Sequence, residues 1–191
     1  MTTPERRNRD RDEDGRARNA RPRDELGRPL PPGSVGVERI PEDLDLPPEK
    51  SLAWAQDLLD RGLAFNAHEV LEGAWKSCPS GERLLWQGLA QLAVGITHVQ
   101  RGNSTGALTL LEREAERIGH GAGIATGGSV GDSEGRGTAP APHGIDAPGL
   151  IAYANQLSAD LQLGASPTPE QLTPRLRVAS PQLSRTTDPD H

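Results

Sequence analysis

Residues 65–76 read FNAHEVLEGAWK, and residues 84–111 read LLWQGLAQLAVGITHVQRGNSTGALTLL. In the first stretch His68, Leu71, Glu72 and Trp75 stand at i, i+3, i+4 and i+7, the spacing of one face of an α-helix. The second opens with Leu84, Leu85, Trp86, Leu89, Leu92, Val94, Ile96 and Val99, apolar on most sides. A helix of that kind belongs at the centre of a bundle. Gly88 and Gly95, seven residues apart, share a face and let a neighbouring helix come close. The fold expected from these stretches is all-α.

Working outward, five helices are expected. Helix A spans Pro48 to Arg61, with Pro48 in the first turn and Gly62 as a left-handed cap. Helix B runs from Asn66 to Ser77. There Asn66 and Glu69 have capping-box spacing, and Phe65 and Val70 that of a hydrophobic staple. Helix C spans Gly81 to Arg101 and helix D Ser104 to Ile118. Residues 48–118 thus form a four-helix core. A Gly-rich loop is expected over 119–146, and a fifth helix, E, over 147–163 with its stripe at Leu150, Ile151, Ala154, Leu157 and Leu161. Residues 1–47 carry ten Arg and eleven acids with few apolar groups, which reads as a disordered tail. The alternative is a partner-docking arm, with NARPRDELGRPLP, Asn19 to Pro31, as its ordered part. Residues 164–191, punctuated by Pro167, Pro169, Pro174, Pro181 and Pro189, read as a second disordered tail.

Composition bounds the function. The net charge of −6 argues against nucleic-acid and acidic-membrane partners. The single Cys78 precludes an internal disulfide and fits a reducing compartment. No apolar run approaches the roughly 18 residues that a membrane helix needs. A cytoplasmic location is the expectation. No phosphate-binding glycine loop or Ser/Cys nucleophile arrangement stands out.

Chemistry concentrates on helices B and C. Gln87, Gln91 and His98 form a polar stripe on an otherwise apolar helix. Buried polar groups need partners, and the simplest solution pairs this stripe with His68 and Glu72 in one network. Glu69 reads as a cap, Trp75 and Trp86 as core aromatics, and Arg101-Gly102-Asn103 as a helix terminus. A second possibility is a divalent metal on His68, Glu72 and His98. Glu69 would be its base, as in HExxH sites, with Glu72 replacing the second His. A third is a small-molecule or protein-binding pocket lined by the same residues.

The segments FNAHEVLEGAWK, LLWQGLAQLAVGITHVQRGNSTGALTLL and HGIDAPGL (143–150) resemble the domain of unknown function 309 family of bacteria and archaea. The resemblance runs from Leu52 to Ile118 and more loosely from His143 to Asp160, and NARPRDELGRPLP is similar to the leader of actinobacterial members. It implies a small helical bundle with no assigned activity. It also implies that His68, Glu69, Glu72, Trp75, Gln87, Gln91, His98, Arg101, Gly102 and Asn103 occupy motif positions. The function expected is a non-enzymatic ligand-binding or protein-interaction module, with an unidentified protein or small molecule as partner and homo-oligomerisation open. No cofactor is expected. The alternative is a metal-dependent, hydrolase-like site on His68, Glu69 and Glu72 with His98.

Overall fold

A computed structural model describes residues 21–124 and 141–178. Five α-helices follow one another: α1 (Pro48–Asp60), α2 (Ala64–Ser77), α3 (Arg83–Gln100), α4 (Ser104–Gly121) and α5 (Ala147–Gln162). Short 3-10 turns stand at Ser80–Glu82, Pro142–Gly144 and Glu170–Leu172. Each helix packs chiefly on the next in sequence, and α3 meets both α2 and α4 extensively. The fold is all-α. Among the described residues no helix is long and apolar enough to cross a membrane.

The helix ends show why the chain breaks where it does. Gly62 and Gly102 take left-handed backbone (φ 75° and 73°) and terminate α1 and α3. Asn103 caps α4, its Oδ1 accepting from Gly106 N at 3.0 Å, and Asp146 caps α5 in the same way through Gly149 N. The expected capping box of α2 does not form. The helix begins two residues earlier, at Ala64, with no side-chain cap. Asn66 therefore lies inside the first turn, where its amide donates to Glu38 O at 3.0 Å instead.

The α3–α4 contact is close because α3 offers glycine. A Cβ on Gly88 would meet Ile118 Cγ1 at 2.7 Å, and one on Gly95 would meet Leu111 Cδ2 at 3.3 Å. One turn beyond Gly88 the roles reverse: a Cβ on Gly121 would lie 2.4 Å from the backbone nitrogen of Leu85. Trp86 is fully buried, as are Leu52, Leu71, Leu89, Ile96, Leu111 and Leu150. Leu84, expected in the apolar surround, is half exposed. The carboxylate of Glu114 is fully buried on α4, held by Arg113 Nε at 2.8 Å and Arg117 Nε at 3.3 Å.

Both expected tails differ from the structure within the described residues. Residues 21–47 lie against the bundle, with Gly27 on Phe65 and Leu44 on Gly73. Residues 164–178 return across α1, burying Leu172 and Leu176. There Gln56 Nε2 donates to Pro174 O, Gln56 Oε1 accepts from Leu176 N, and Arg175 pairs with Asp60. A bridge between Ile145 and Arg177 ties that return to the start of α5. Charge content in the first segment and proline density in the second misled, because extended segments can be fixed by side chains of a neighbouring helix without a periodic apolar stripe. The apolar stripes of α1 and α5 are buried within the described residues. Of the Gly-rich loop, 125–140 lies outside the described residues, as do 1–20 and 179–191.

The two glycine contacts should separate by mutation. Gly121→Ala drives a Cβ against Leu85 backbone, whereas the nearest atom to a Cβ on Gly88 is a side-chain carbon of Ile118, which yields more readily than backbone. Overpacking typically costs about 1–3 kcal/mol, offset by about 1 kcal/mol of helix propensity gained over Gly. In thermal denaturation Gly121→Ala should lose several degrees and clearly more than Gly88→Ala. Equal midpoints would show that the α4 terminus is not in this close contact.

Candidate functional site

Antiparallel packing sets the N-terminus of α2 beside the C-terminus of α3, and the motif residues there receive the arm 21–47. Phe65 is the anchor. The Arg23 guanidinium lies over its ring at 4.8 Å and that of Arg101 at 5.7 Å, contacts favoured by the ring quadrupole. Arg101 Nε donates to Leu26 O at 2.8 Å, and its terminal nitrogen donates to the same carbonyl. Gly27, at φ 71°, sits directly on Phe65, where a Cβ would overlap the ring. Farther along, Asn66 holds the Glu38 carbonyl, and Gly73 lets Leu44 approach α2.

Glu69 belongs to this interface rather than to a cap. Burial raises its carboxyl above the ordinary value, while the nearby Arg23 and Arg39 charges oppose the rise. A void of only 30 Å³ remains where Arg23, Val37, Ile40, Asn66 and Glu69 meet, about one water's share of liquid volume. The arm is thus fitted closely to α2. Burial lowers the Arg101 guanidinium, and the Arg28 charge adds to that effect.

The expected network of His68, Glu72, Gln91 and His98 is not assembled as one. His68 Nδ1 lies 3.2 Å from Ala90 O, the geometry of an N–H donor, and its Nε2 lies 3.5 Å from Glu72 Oε2. Glu72 turns toward solvent and pairs with Lys76 at 3.0 Å. His98 lies eight residues beyond Ala90 along α3, about 12 Å of helix rise, which keeps it from His68. It serves the α3–α4 turn: Asn103 Nδ2 donates to His98 Nδ1 at 2.7 Å while Asn103 Oδ1 caps α4. Gly106 must lack a Cβ there, since one would lie 2.5 Å from His98 Nδ1. Gln87 and Gln91 are half-buried on α3. Trp75 lies under the Arg83 guanidinium at 5.5 Å. Among the described residues no three His, Cys, Asp or Glu side chains converge to hold a metal, so the candidate set of His68, Glu72 and His98 is not brought together.

Two features escaped sequence reasoning. Phe65 was legible only as a staple, and Arg101 as a helix terminus and a candidate ligand-binding residue at a motif position; their joint role needs the arm in place. The second feature is His143, in left-handed backbone at φ 59°. Its Nε2 is 2.9 Å from Glu82 Oε2, its Nδ1 is 3.4 Å from Glu49 Oε1, and Trp86 Nε1 donates to Glu82 at 3.0 Å. Burial would raise the Glu82 carboxyl, but the Trp86 N–H and His143 together hold it below its ordinary value. This cluster fastens the start of α5 to α1 and α3. Cys78 borders a 370 Å³ cleft beside Trp86. Its thiol donates to Trp75 O, and burial raises its pKa, which leaves it a poor nucleophile.

Acid should loosen the fold through two of these groups. Burial pulls His68 below its ordinary value of 6.5, against the Glu72 carboxylate and the Ala90 carbonyl, which favour the charged form. The unfolded chain then binds the proton more readily, so stability falls as pH drops below 6.5. The lowered Glu82 contributes stability that is present above 4.5 and lost as pH falls through its folded value. Urea midpoints should therefore decline in two stages on acidification. His68→Gln should flatten the upper stage alone, and an unaltered upper stage would remove His68 from this account.

The comparisons with known proteins bear on the same face. Residues 52–110 match the family model described as "Domain of unknown function (DUF309)". Among curated proteins, the chain is 44% identical over 48 residues to "Uncharacterized protein YpuF" of Bacillus subtilis (strain 168). That stretch is 25% of this chain and 28% of the relative, so the chain covers little more than a quarter of that protein's length. No solved structure matches. The match takes in Phe65, Asn66, Glu69, Gly73 and Arg101 but not the arm they hold, and the leader resemblance at Asn19 to Pro31 also lies outside it. Over residues 52–110 the chain is therefore similar to the DUF309 family.

Proposed function

We propose that the domain is a non-enzymatic protein-interaction module. Its binding surface is the face made by the start of α2 and the end of α3, and it takes an extended polypeptide segment. The observation that carries this reading is the docked arm. Phe65, Asn66 and Arg101 recognise it by one ring face and two backbone carbonyls. Recognition through carbonyls tolerates varied side chains, as a surface for peptide segments requires. The receiving residues lie inside the family match and their occupant lies outside it. This division supports a binding surface that is a property of the domain, with residues 21–47 as an occupant supplied by this chain.

Arg101→Ala tests the reading. A hydrogen bond from a charged donor contributes about 1.5–3 kcal/mol, equivalent to about a 10- to 100-fold change in an opening equilibrium. Amide hydrogen exchange at Gly27, Leu30 and Val37, each bonded within the arm, should accelerate by that factor. The α3 core amides around Leu89 and Leu92 should keep their protection. Acceleration across arm and core together would mean that Arg101 holds the bundle rather than a removable segment.

A further inference from the structure

The seated part of the arm is a compact turn with a short sequence rule. Arg23 crosses Phe65 and donates to Gly27 O. Asp24 Oδ1 accepts from Leu26 N at 3.0 Å and Arg28 N at 2.7 Å, closing the turn. Gly27 supplies the left-handed backbone and the absent Cβ against Phe65. Glu25 is exposed. The Leu26 carbonyl is the group that Arg101 grips. The side chains the receiver and turn require are thus Arg, Asp and Gly at the first, second and fifth positions of Arg23-Asp-Glu-Leu-Gly-Arg28.

The same string recurs twelve residues upstream as Arg11-Asp-Glu-Asp-Gly-Arg16, identical at five of six positions. The one change is Leu26 to Asp14, at the position whose backbone carbonyl makes the contact with Arg101. We propose that Arg11–Arg16 is a second ligand for the receiver on α2 and α3 and competes with Arg23–Arg28 for it. The proposal rests on the interaction-module reading above and gives its recognition rule: an Arg-Asp-x-x-Gly segment. The first-seated copy has the advantage of its flanks. Leu30 N donates to Pro22 O and Val37 N to Arg23 O, and Leu26, Leu30, Val35 and Val37 border one groove together with Asp24 and Glu25. The upstream copy is followed by Ala17 and Arg18 in place of Pro29 and Leu30. It therefore takes the site when the downstream copy leaves. A covalently tethered competitor also acts at an effective concentration of the order of millimolar.

Fluorescence polarisation with two labelled peptides, residues 9–18 and 21–30, tests this on the full-length chain. Three forms are compared: wild type, a form with Arg23→Ser and Gly27→Val, and a form that adds Arg11→Ser and Gly15→Val. Both peptides should bind the four-substitution form, where neither internal copy competes. Each should bind at least about tenfold more weakly to the two-substitution form and to wild type. Adding Arg101→Ala should abolish binding, and a 9–18 peptide of permuted order should not bind. If 21–30 binds the four-substitution form and 9–18 does not, the second ligand is overturned and the receiver stands. If neither binds, the receiver itself is overturned. Equal binding of 9–18 to the two- and four-substitution forms would overturn the competition.

Discussion

The tight reversal between α3 and α4 is the constraint on which the rest of the molecule depends. Gly102 supplies left-handed backbone, and Asn103 caps α4 while its amide is steered by His98. Gly106 leaves the room this arrangement needs. The turn sets the two longest helices antiparallel, and Gly88, Gly95 and Gly121 then allow them to close on each other. It also ends α3 one residue before Arg101, so that guanidinium leaves the helix and reaches the arm. One local motif thereby fixes both the central packing and the position of the residue that grips the arm.

A bundle of five helices still needs closure at its ends. Two extended segments provide it. The arm lies along α2, and the C-terminal return lies along α1, each held by side chains that bond to its backbone carbonyls: Asn66 and Arg101 for the first, Gln56 for the second. His143 adds a third fastening, between Glu49 and Glu82 and over Trp86. These contacts are polar and individually modest, whereas the helix–helix core is apolar and continuous. Segments bound in this way open at lower free-energy cost than the core does, which makes the arm the part of the molecule suited to exchange.

The amino-acid sequence by itself determined the helices. Periodicity located α1, α3, α4 and α5 to within a few residues, because a 3.6-residue apolar stripe and a Gly or Asn terminator are local signals. It also determined the close-approach glycines of α3 and the Gly-Asn terminus between α3 and α4. Tertiary structure decided the rest. Asn66 and Glu69 have capping-box spacing, yet the arm recruits both, since a carbonyl and two arginines brought from 28 to 46 residues away in sequence outweigh a local cap. His68 and His98 share a plausible stripe pattern, but helix rise separates them, and each is satisfied locally by Ala90 or Asn103. The order of residues 21–47 and 164–178 was invisible to periodicity for the same reason. Their stability comes from individual bonds to distant helices, and no local pattern encodes such a partner.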